Sequence, residues 1–425
     1  MKYCIITYGC QMNISDSERI ASFLEKNGHH SEPDPIRADL VIINTCSVRQ
    51  SAIDRVWGQL NKLSGLKNRT MKIALTGCLL PEDKKKLKEK FDLFFEIKDL
   101  PELPSMINNL FKRDNSSNKR YWDNYLQIPA KNQSPFSALI PIMTGCNNFC
   151  SYCVVPYTRG CEISRPVEDI ISEIKGLIKK GYKEIWLLGQ NVNSYSYIPF
   201  AELLKKINDI PGEFWIRFTS SHPKDFTDEL IKAIKNCDKV TEYLNLPVQA
   251  GDDIVLKKMN RPYDIKKYME IIKKIESEIP GICLSTDVIV GFPGETKKQF
   301  QNTVALFKDI KYDMAYISQY SPRPGTLAKK LKDDVDLKEK KERWMILTET
   351  LKKTALKKNR KYLGKTVDIL VEKESKGYLL GKSKTYKTVK FKGSKTIVGR
   401  FVKVKITQSL EWGLQGSLVG DAKKI

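Results

Sequence analysis

The chain has 425 residues, enough for about three domains, and 41% of them are hydrophobic, which excludes a wholly disordered chain. No uninterrupted apolar run reaches about 18 residues, which excludes a membrane-spanning helix, and the first residues lack a signal peptide, so we expect a cytoplasmic protein. Lysine and arginine number 73 against 50 aspartates and glutamates, and this charge of +23 favours nucleic acid as a partner, with a lysine-rich proteome as the alternative.

Residues 1 to about 110 alternate short β-rich runs with helix-like stretches. The runs are Lys2–Tyr8, Leu40–Asn44 and Lys72–Thr76, and a helix is predicted from Asp16 to Asn27, ended by Gly28. Buried apolar strands that alternate with helices predict a small parallel sheet.

Each of these three runs leads into a cysteine just past its carboxyl end, namely Cys10, Cys46 and Cys78. The carboxyl ends of parallel strands share one edge of an open sheet, and ligands bind there. We therefore expect the three cysteines, about 30–36 residues apart, to form one ligand site. The alternative is that they are three small apolar residues at strand ends.

Residues 111 to 134 are polar and poor in aliphatic side chains, which predicts a linker. A second α/β run follows to about residue 330, with helical stretches such as Val167–Lys180 and Phe226–Lys235 between its strands. Six βα units predict an open or partial barrel whose site lies at the carboxyl ends of the strands. The strand candidates are Ala138–Met143, Glu184–Leu188, Trp215–Phe218, Tyr243–Leu246, Leu284–Val290 and Met314–Gln319.

Residues 335–361 predict a basic helix with one apolar face formed by Trp344, Leu347 and Leu351. From about residue 362 the pattern changes to short alternating strands with glycine turns, which predicts a small β-barrel. The predicted strands are Thr366–Val371, Thr388–Phe391, Arg400–Ile406 and Gly416–Val419.

The last segment is strongly basic, with 15 lysines and arginines against 5 acidic residues in 361–425. Aromatic residues interleave with this charge, which suits RNA because cations follow phosphates and bases stack on rings. The alternative is a solvated lysine face over aromatic residues that belong to a core. The aromatic residues are Tyr378, Tyr386, Phe391, Phe401 and Trp412.

The strongest local motif is a Cys-x3-Cys-x2-Cys directly after a predicted strand, formed by Cys146, Cys150 and Cys153. Thiolates hold iron–sulfur clusters, and a four-iron cluster with only three of them keeps one iron open for chemistry. The alternative is a reduced structural cysteine cluster. Zinc is disfavoured, because the chain has a single Cys-x-x-Cys pair and no two histidines at ligand spacing.

With that motif at the start of a βα domain, the chain resembles the radical S-adenosylmethionine enzymes, and the residues around it resemble their methylthiotransferase family. The residues of these motifs are most similar to those of the branch that acts on N6-dimethylallyladenosine in tRNA. The resemblance covers nearly the whole chain in collinear order. The matching segments are 8–13, 44–49, 76–78, 153–160, 164–166, 187–192, 220–223, 246–251, 290–296 and 322–326.

This resemblance implies two 4Fe–4S clusters and S-adenosylmethionine as cofactors, with the chemistry driven by them and no catalytic side chain. The first cluster, on Cys146, Cys150 and Cys153, would chelate S-adenosylmethionine at its open iron and yield a 5′-deoxyadenosyl radical. The second, on Cys10, Cys46 and Cys78, would hold the sulfur to be methylated and delivered to carbon 2 of the adenine. The resemblance also assigns the last segment to the TRAM domains.

Two glycine-containing turns are candidate contacts to the cofactor. Gly189, Gln190 and Asn191 follow a predicted strand, and the turn with Gly291, Gly294 and Glu295 is similar to the adenine-contacting turn of radical enzymes. Tight turns without a ligand are the alternative. His222 is predicted to be structural, and Cys161 is predicted to be a surface thiol, with a local ligand as the alternative. Cys4, Cys237 and Cys283 are expected to be packing residues.

The sequence thus predicts a multidomain α/β protein. Its parts are an N-terminal domain at 1–115, a partial (β/α)6 radical core at 132–360 and a TRAM-like barrel at 361–425. The expected partners are the anticodon stem-loop of tRNA, an electron donor such as flavodoxin or ferredoxin and a sulfur source, and we expect a monomer. Alternative activities are methylthiolation of N6-threonylcarbamoyladenosine in tRNA or of an aspartate in ribosomal protein S12, and a non-enzymatic iron–sulfur RNA-binding protein.

Overall fold

The computed structural model describes residues 1–48, 50–65, 71–112 and 124–419. They form two compact units, which are described separately. The first comprises Met1–Ser134, Leu139–Glu173 and Arg323–Lys329, and the second comprises Pro135–Ala138, Ile174–Pro322 and Lys330–Ile425. Arg49 of the second cysteine motif, residues 113–123 of the predicted linker and residues 420–425 of the predicted barrel segment lie outside the described residues.

The first unit contains a five-stranded parallel sheet in the order β2-β1-β3-β4-β5. Its central strand is buried along its whole length, and alternate residues face two separate cores: Leu40 and Ile42 pack with Phe23, while Val41 and Ile43 pack with Val56. A strand covered on both faces needs a continuous apolar run, which is the pattern in the sequence. The elements are β1 Lys2–Tyr8, α1 Gln11–Lys26, β2 His30–Ser31, β3 Leu40–Cys46, α2 Gln50–Ser64, β4 Lys72–Cys78, α3 Pro81–Leu87, β5 Leu93–Phe94 and α4 Leu103–Leu110.

The ends of β3 and β4 differ from the prediction. Pairing between the two strands continues through Cys46 and Cys78, which are Cα partners, so both cysteines are the last residues of their strands rather than the residues beyond them. Helix α1 also begins earlier than predicted, because Cys10 is its N-cap residue and the Ile14 amide donates to the Cys10 carbonyl at 3.1 Å. The order of strands reverses between β1 and β3, and this is where an open α/β sheet binds its ligand.

The same unit includes the segment with the Cys-x3-Cys-x2-Cys motif. After β6 (Ser137–Pro141), the strand β7 (Met143–Thr144) pairs antiparallel with β8 (Ile163–Ser164). The cysteine loop and the short helix α5 (Val155–Arg159) lie between β7 and β8. The two-stranded pair therefore closes the loop at its base.

The second unit contains strands of the predicted partial barrel, and the fold prediction is confirmed. The strands form two three-stranded sheets, in the orders β10-β9-β6 and β11-β12-β13, and only the first two residues of β6 belong to this unit. Helix α6 (Val167–Lys179) begins in the first unit and enters the second at Ile174. The other elements are β9 Glu184–Leu188, α7 Phe200–Asn208, β10 Trp215–Phe218, α8 Asp228–Asn236, β11 Tyr243–Asn245, α9 Asp253–Lys258, α10 Ile265–Glu278, β12 Cys283–Val290, α11 Lys297–Ile310 and β13 Met314–Gln319.

A long helix and a closed five-stranded barrel in the order β14-β15-β16-β18-β17 complete this unit. The strand β15 was not predicted. Among the described helices, none combines the length and the apolar character that crossing a membrane requires. The elements are α12 Leu337–Arg360, β14 Thr366–Ser375, β15 Tyr378–Ser383, β16 Thr388–Lys392, β17 Phe401–Leu410 and β18 Gly413–Leu418.

Two expectations about apolar and aromatic side chains are corrected. On α12, Leu347 and Leu351 are buried, but Trp344 is exposed, and its indole N–H donates to the carbonyl of Ile317 at 3.1 Å. In the barrel, Phe391 belongs to the core and is not available for stacking, whereas Trp412 is exposed and its stacking role stays a prediction. The other predicted stacking residues have partners within the unit: Tyr386 packs on Trp186 and Tyr243, Phe401 packs on Trp215, and Lys390 lies over Tyr378.

Candidate active site

The carboxyl edge of the first sheet carries Cys10, Cys46 and Cys78. Cys46 and Cys78 are neighbours on adjacent strands and are buried, while Cys10 is exposed between β1 and α1. The amide of Ser47 donates to the carbonyl of Cys78 at 2.7 Å, which fixes the chain directly after Cys46. The structure thus brings the three cysteines to one edge of the sheet.

Asn13 connects the three strand ends from the first turn of α1. Its Oδ1 accepts from the backbone N–H of Cys10 at 3.2 Å and lies 3.4 Å from the Cys10 Sγ. Its Nδ2 donates to Oδ1 of Asn44 at 3.1 Å and lies 3.9 Å from the Sγ of Cys78. Asn13 and Asn44 are fully buried, so this contact is held rigidly inside the fold.

Arg159 contacts this triad from the other cysteine segment of the same unit. Its Nε–H donates to the Sγ of Cys78 at 2.9 Å, and its Nη2 donates to Oδ2 of Asp16 at 2.6 Å. The hydrogen bond from the Cys46 thiol and the charge of Arg159 lower the pKa of Cys78, against the effect of burial. The same contact between the cysteines raises the pKa of Cys46. Cys78 is therefore the more acidic thiol of the pair, and the thiolate is the form that binds metal.

A glycine precedes a cysteine at two crowded places. Gly77 has φ +110°, and a Cβ there would lie 2.1 Å from the carbonyl oxygen of Thr45. Gly145 has φ +81°, and a Cβ there would lie 1.9 Å from the carbonyl oxygen of Cys161. Only glycine combines this backbone conformation with such a close approach, so both glycines fix the path of the backbone into the cysteine that follows.

The second triad, Cys146, Cys150 and Cys153, lies in the loop between β7 and α5. The Cys146 amide donates to the Gly160 carbonyl at 3.1 Å, and the Cys153 amide donates to the Cys150 carbonyl at 2.9 Å. Cys146 is buried, which raises the pKa of its thiol, and the other two cysteines are half-buried. The close spacing in sequence gives a loop whose three thiols come from one tight turn.

Backbone and side-chain N–H groups point at the sulfurs of this loop. Nδ2 of Asn148 lies 3.5 Å from the Sγ of Cys146, and the amide of Val155, the first residue of α5, lies 3.5 Å from the Sγ of Cys153. Donors to sulfur stabilise thiolate ligands and tune the cluster that they hold.

Both donor sets consist of three free thiols, which is the ligand type of iron–sulfur clusters. Among the described residues, no three histidine, cysteine, aspartate or glutamate side chains are grouped closely enough to hold one ion. A four-iron cluster does not need such closeness, because each thiolate binds a different iron. The buried Nη1 of Arg159, beside the first triad, also has no acceptor among the described residues. A cluster sulfide would supply one.

The predicted cofactor-contact residues lie in the second unit. Gly189 and Gln190 follow β9, and Oε1 of Gln190 is buried with no donor in the described structure. Nδ2 of Asn191 donates to Oδ2 of Asp225 at 2.8 Å, while its Oδ1 is buried and without a donor. The turn thus presents two buried acceptors that the described protein does not satisfy, which is typical of a site for a polar ligand.

Two residues that the sequence did not assign to a site lie against this turn. The amide of His222 donates to Oδ1 of Asn193 at 2.8 Å, and Oγ of Ser221 and Nε2 of His222 are buried without partners among the described atoms. The segment Ser220–Pro223 was identified as a family motif, but a lone histidine before proline carries no ligand signal by itself. The unpartnered atoms add Ser221 and His222 to the candidate set.

The other predicted turn is held by internal contacts. The carboxylate of Glu295 accepts from the Gly291 amide and from Nη1 of Arg343, each at 2.6 Å. Burial raises the pKa of Glu295, and these two donors oppose the shift. Gly291 and Gly294 have φ +69° and +76°, as a tight turn requires. Glu295 therefore shapes the turn, and contact between this turn and a cofactor stays a prediction.

Three family models match successive parts of the chain. Residues 2–96 match the uncharacterized protein family UPF0004, residues 140–307 match the Radical SAM superfamily, and residues 360–419 match the TRAM domain.

Curated relatives match almost the entire chain. The chain is 44% identical to the tRNA-2-methylthio-N(6)-dimethylallyladenosine synthase of Clostridium botulinum (strain Langeland), over 98% of this chain and 96% of that protein. It is also 44% identical to the enzyme of the same name from Thermoanaerobacter pseudethanolicus, over 98% of this chain and 92% of that protein.

Among solved structures, the fold is similar to that of the radical S-adenosylmethionine methyltransferase TsrM from Kitasatospora setae, determined with cobalamin and a 4Fe–4S cluster bound. The TM-score is 0.57 at 13% sequence identity, over 89% of this chain and 80% of that one. At this identity the likeness concerns the fold alone.

Proposed function

This chain belongs to the family of tRNA-2-methylthio-N(6)-dimethylallyladenosine synthases, and from this membership we propose that it is the radical enzyme that adds a methylthio group to carbon 2 of N6-dimethylallyladenosine at position 37 of tRNA. The observation that carries the proposal is the 44% identity over 98% of the chain, together with two separate cysteine triads in one folded unit. Two thiolate sets suit a reaction that needs one cluster to generate a radical and another to provide sulfur.

The geometry of the first unit supports the proposed cluster ligands. Three thiols from one tight loop hold the cluster that binds S-adenosylmethionine, and three thiols from the sheet edge hold the cluster that provides sulfur. When bound, S-adenosylmethionine supplies the 5′-deoxyadenosyl radical and the methyl group, and the second cluster supplies the transferable sulfur. The proposed ligands are Cys146, Cys150 and Cys153 for the first cluster and Cys10, Cys46 and Cys78 for the second.

The cofactor contacts are assigned to the turns of the second unit. We place the polar end groups of S-adenosylmethionine against Gly189, Gln190 and Asn191, and we add Ser221, because its hydroxyl is buried without a partner among the described residues. The side chains of Lys340 and Lys258 lie where the Cβ atoms of Gly291 and Gly294 would be, so we propose that this turn contacts the cofactor through its backbone. Glu295 acts indirectly, by holding the Gly291 amide.

Substitution of one ligand tests the cluster assignment. Cys46→Ala leaves two thiolates at the sheet edge, and we expect the anaerobically reconstituted protein to fall from about eight to about four iron atoms per chain, with loss of methylthiolation. Cys161→Ala is the control, because Cys161 is exposed and belongs to neither triad. Equal iron content in the two variants would contradict the assignment.

We extend the proposal to the binding partners and the oligomeric state. The barrel binds the anticodon stem-loop through its basic surface, a small electron carrier such as flavodoxin or ferredoxin provides electrons, and a separate sulfur source restores the second cluster. The protein acts as a monomer in the cytoplasm, where its tRNA is. Light scattering of the reconstituted protein with and without tRNA checks the monomer, and each carrier is checked by replacing dithionite with it in the assay.

Nucleoside mass spectrometry tests the activity itself. In tRNA from a strain without the gene, we expect 2-methylthio-N6-dimethylallyladenosine to be absent and N6-dimethylallyladenosine to accumulate, with both reversed by complementation. If that nucleoside is unchanged, the substrate assignment is wrong. Threonylcarbamoyladenosine and ribosomal protein S12 would then be analysed for a missing methylthio group.

A further inference from the structure

Arg159 connects the two cysteine segments of the first unit. It is the last residue of α5, which follows the Cys146–Cys153 loop, yet its guanidinium contacts Cys78 at the end of β4 and Asp16 on α1. The Arg159 side chain is 3% exposed and that of Asp16 is 0% exposed. This is a buried cation held directly at a thiol of the other triad.

The hydrogen bonding of Arg159 is incomplete. Its Nε donates to Cys78 and its Nη2 donates to Asp16, but its Nη1 is buried with no acceptor among the described residues. Oδ1 of Asp16 is also buried, and it has no donor among the described residues. A buried guanidinium N–H without an acceptor is unfavourable, so the described protein leaves a place for an acceptor that it does not itself provide. Sulfur is already the acceptor at Nε.

We propose that Arg159 sets the reduction potential of the N-terminal cluster by donating to the Cys78 thiolate and to a sulfide of that cluster. Its charge stabilises the reduced cluster, which carries one more negative charge than the oxidised cluster. Arg159 therefore raises the midpoint potential at which the cluster takes one electron. The proposal rests on the proposed assignment of Cys10, Cys46 and Cys78 as ligands.

The physical basis is the way in which proteins set cluster potentials. Hydrogen bonds to the sulfurs, net charge and burial determine the reduction potential, and a buried arginine supplies all three at once. Lysine is not an equivalent, because a guanidinium presents several N–H donors in a fixed plane whereas an ammonium is a point charge. A residue that only paired with Asp16 would not need to contact Cys78.

The test isolates the N-terminal cluster. Under the proposed function, a variant with Cys146, Cys150 and Cys153 all changed to Ala carries only that cluster, with about four iron atoms per chain. Arg159→Gln, Arg159→Lys and Asp16→Asn are added to this background. The midpoint potential is measured by EPR during titration with dithionite, which supplies the electron, and iron and sulfide are counted in each sample.

We expect the potential to shift to more negative values in Arg159→Gln, to shift less in Arg159→Lys, and not to shift in this direction in Asp16→Asn. An unchanged potential with full iron content in Arg159→Gln would overturn the proposal. If Arg159→Gln loses its cluster, the midpoint potential of Arg159→Lys is the test. A potential in Arg159→Lys equal to that of the background variant would overturn the proposal. If the background variant itself holds no cluster, the ligand assignment has failed and not the role of Arg159.

Discussion

Nε of Arg217 lies 2.6 Å from Oε1 of Glu184, and the two side chains are 0% and 3% exposed. Arg217 also donates to the backbone carbonyls of Ser383 at 2.8 Å and Lys384 at 3.1 Å. It thus ties strand β10 both to β9 and to the turn that follows β15, and one cation holds the barrel against a strand of the radical core.

Arg217→Met is expected to lower the free energy of unfolding of this unit by about 3–5 kcal/mol, because Glu184 would stay buried without its cationic partner. Trp186 and Trp215 lie 5.8 and 5.0 Å from the guanidinium, so tryptophan fluorescence during a urea titration reports on this region.

Lys183→Met is the matched control for Arg217. Lys183 pairs with Glu213 at the surface, where the side chains are 31% and 75% exposed, and such pairs contribute less than about 1 kcal/mol. Similar losses in the two variants would show that burial of the Arg217 pair has no special weight.

Gly145→Ala is expected to prevent assembly of the cluster on the Cys146 loop, because its Cβ would lie 1.9 Å from the carbonyl oxygen of Cys161. We expect about four iron atoms per chain after reconstitution instead of about eight. Gly160→Ala is the control, because Gly160 has φ +79° but its Cβ would meet nothing within 4 Å. Equal iron loss in both variants would mean that backbone strain and not the steric contact is responsible.

His222 is expected to stay neutral across the physiological range. Burial, and then the charges of Arg261 and Lys224, lower its pKa to about 2. The chain has 3 histidines, so NMR of the imidazoles can follow each signal from pH 5 to pH 8. One signal should keep its neutral position throughout and be missing from His222→Gln. A titrating His222 signal in this range would contradict the burial of its ring.

The same depressed pKa predicts a dependence of stability on pH. The unfolded histidine binds a proton below about pH 6.5 and the folded one does not, so its contribution is complete above about 6.5 and is lost as pH falls toward 2, by up to about 1.4 kcal/mol per pH unit. His222→Gln should therefore lose less stability between pH 7 and pH 5 than the parent protein, as measured by urea unfolding. An identical loss in both would refute this linkage.

Trp412→Ala is expected to weaken tRNA binding by roughly 5- to 150-fold, because stacking of a base on an aromatic ring contributes about 1–3 kcal/mol. Trp412 is 44% exposed in the turn between β17 and β18. Phe391→Leu is the control, because Phe391 is a core residue that should affect the thermal stability of the barrel and not its affinity. Fluorescence anisotropy with labelled tRNA measures the affinity of both variants, and an unchanged affinity in Trp412→Ala would refute the stacking role.

Parts of the fold were predictable from short apolar runs. Strands β9, β10 and β13 have the predicted bounds, because each is a compact β-rich run between polar or turn residues. Strand β15 was missed because its inward side carries Leu379, Gly381 and Ser383, which do not form an apolar pattern. Gly381 is needed there because a Cβ would lie 2.4 Å from the carbonyl oxygen of Leu370, and only tertiary packing creates that requirement.

The site was predictable where its chemistry is carried by spacing. Spacing along the chain is sufficient to find the Cys-x3-Cys-x2-Cys motif and the three cysteines at the strand ends. The contact between Arg159 and Cys78 does not, because 81 residues separate them and no local pattern signals which arginine will be buried. The unpartnered atoms of Ser221 and His222 are likewise a property of the folded surroundings and not of the motif.

The folded unit that holds both cysteine triads is discontinuous in the sequence, since it joins residues 1–134 to residues 139–173 and 323–329. A hybrid of two relatives that changes parent at residue 132 would inherit Asp16 and Cys78 from one parent and Arg159 from the other. A hybrid that changes parent at residue 174 inherits all three together. Recombination between such enzymes should therefore be tolerated more readily at the second position than at the first.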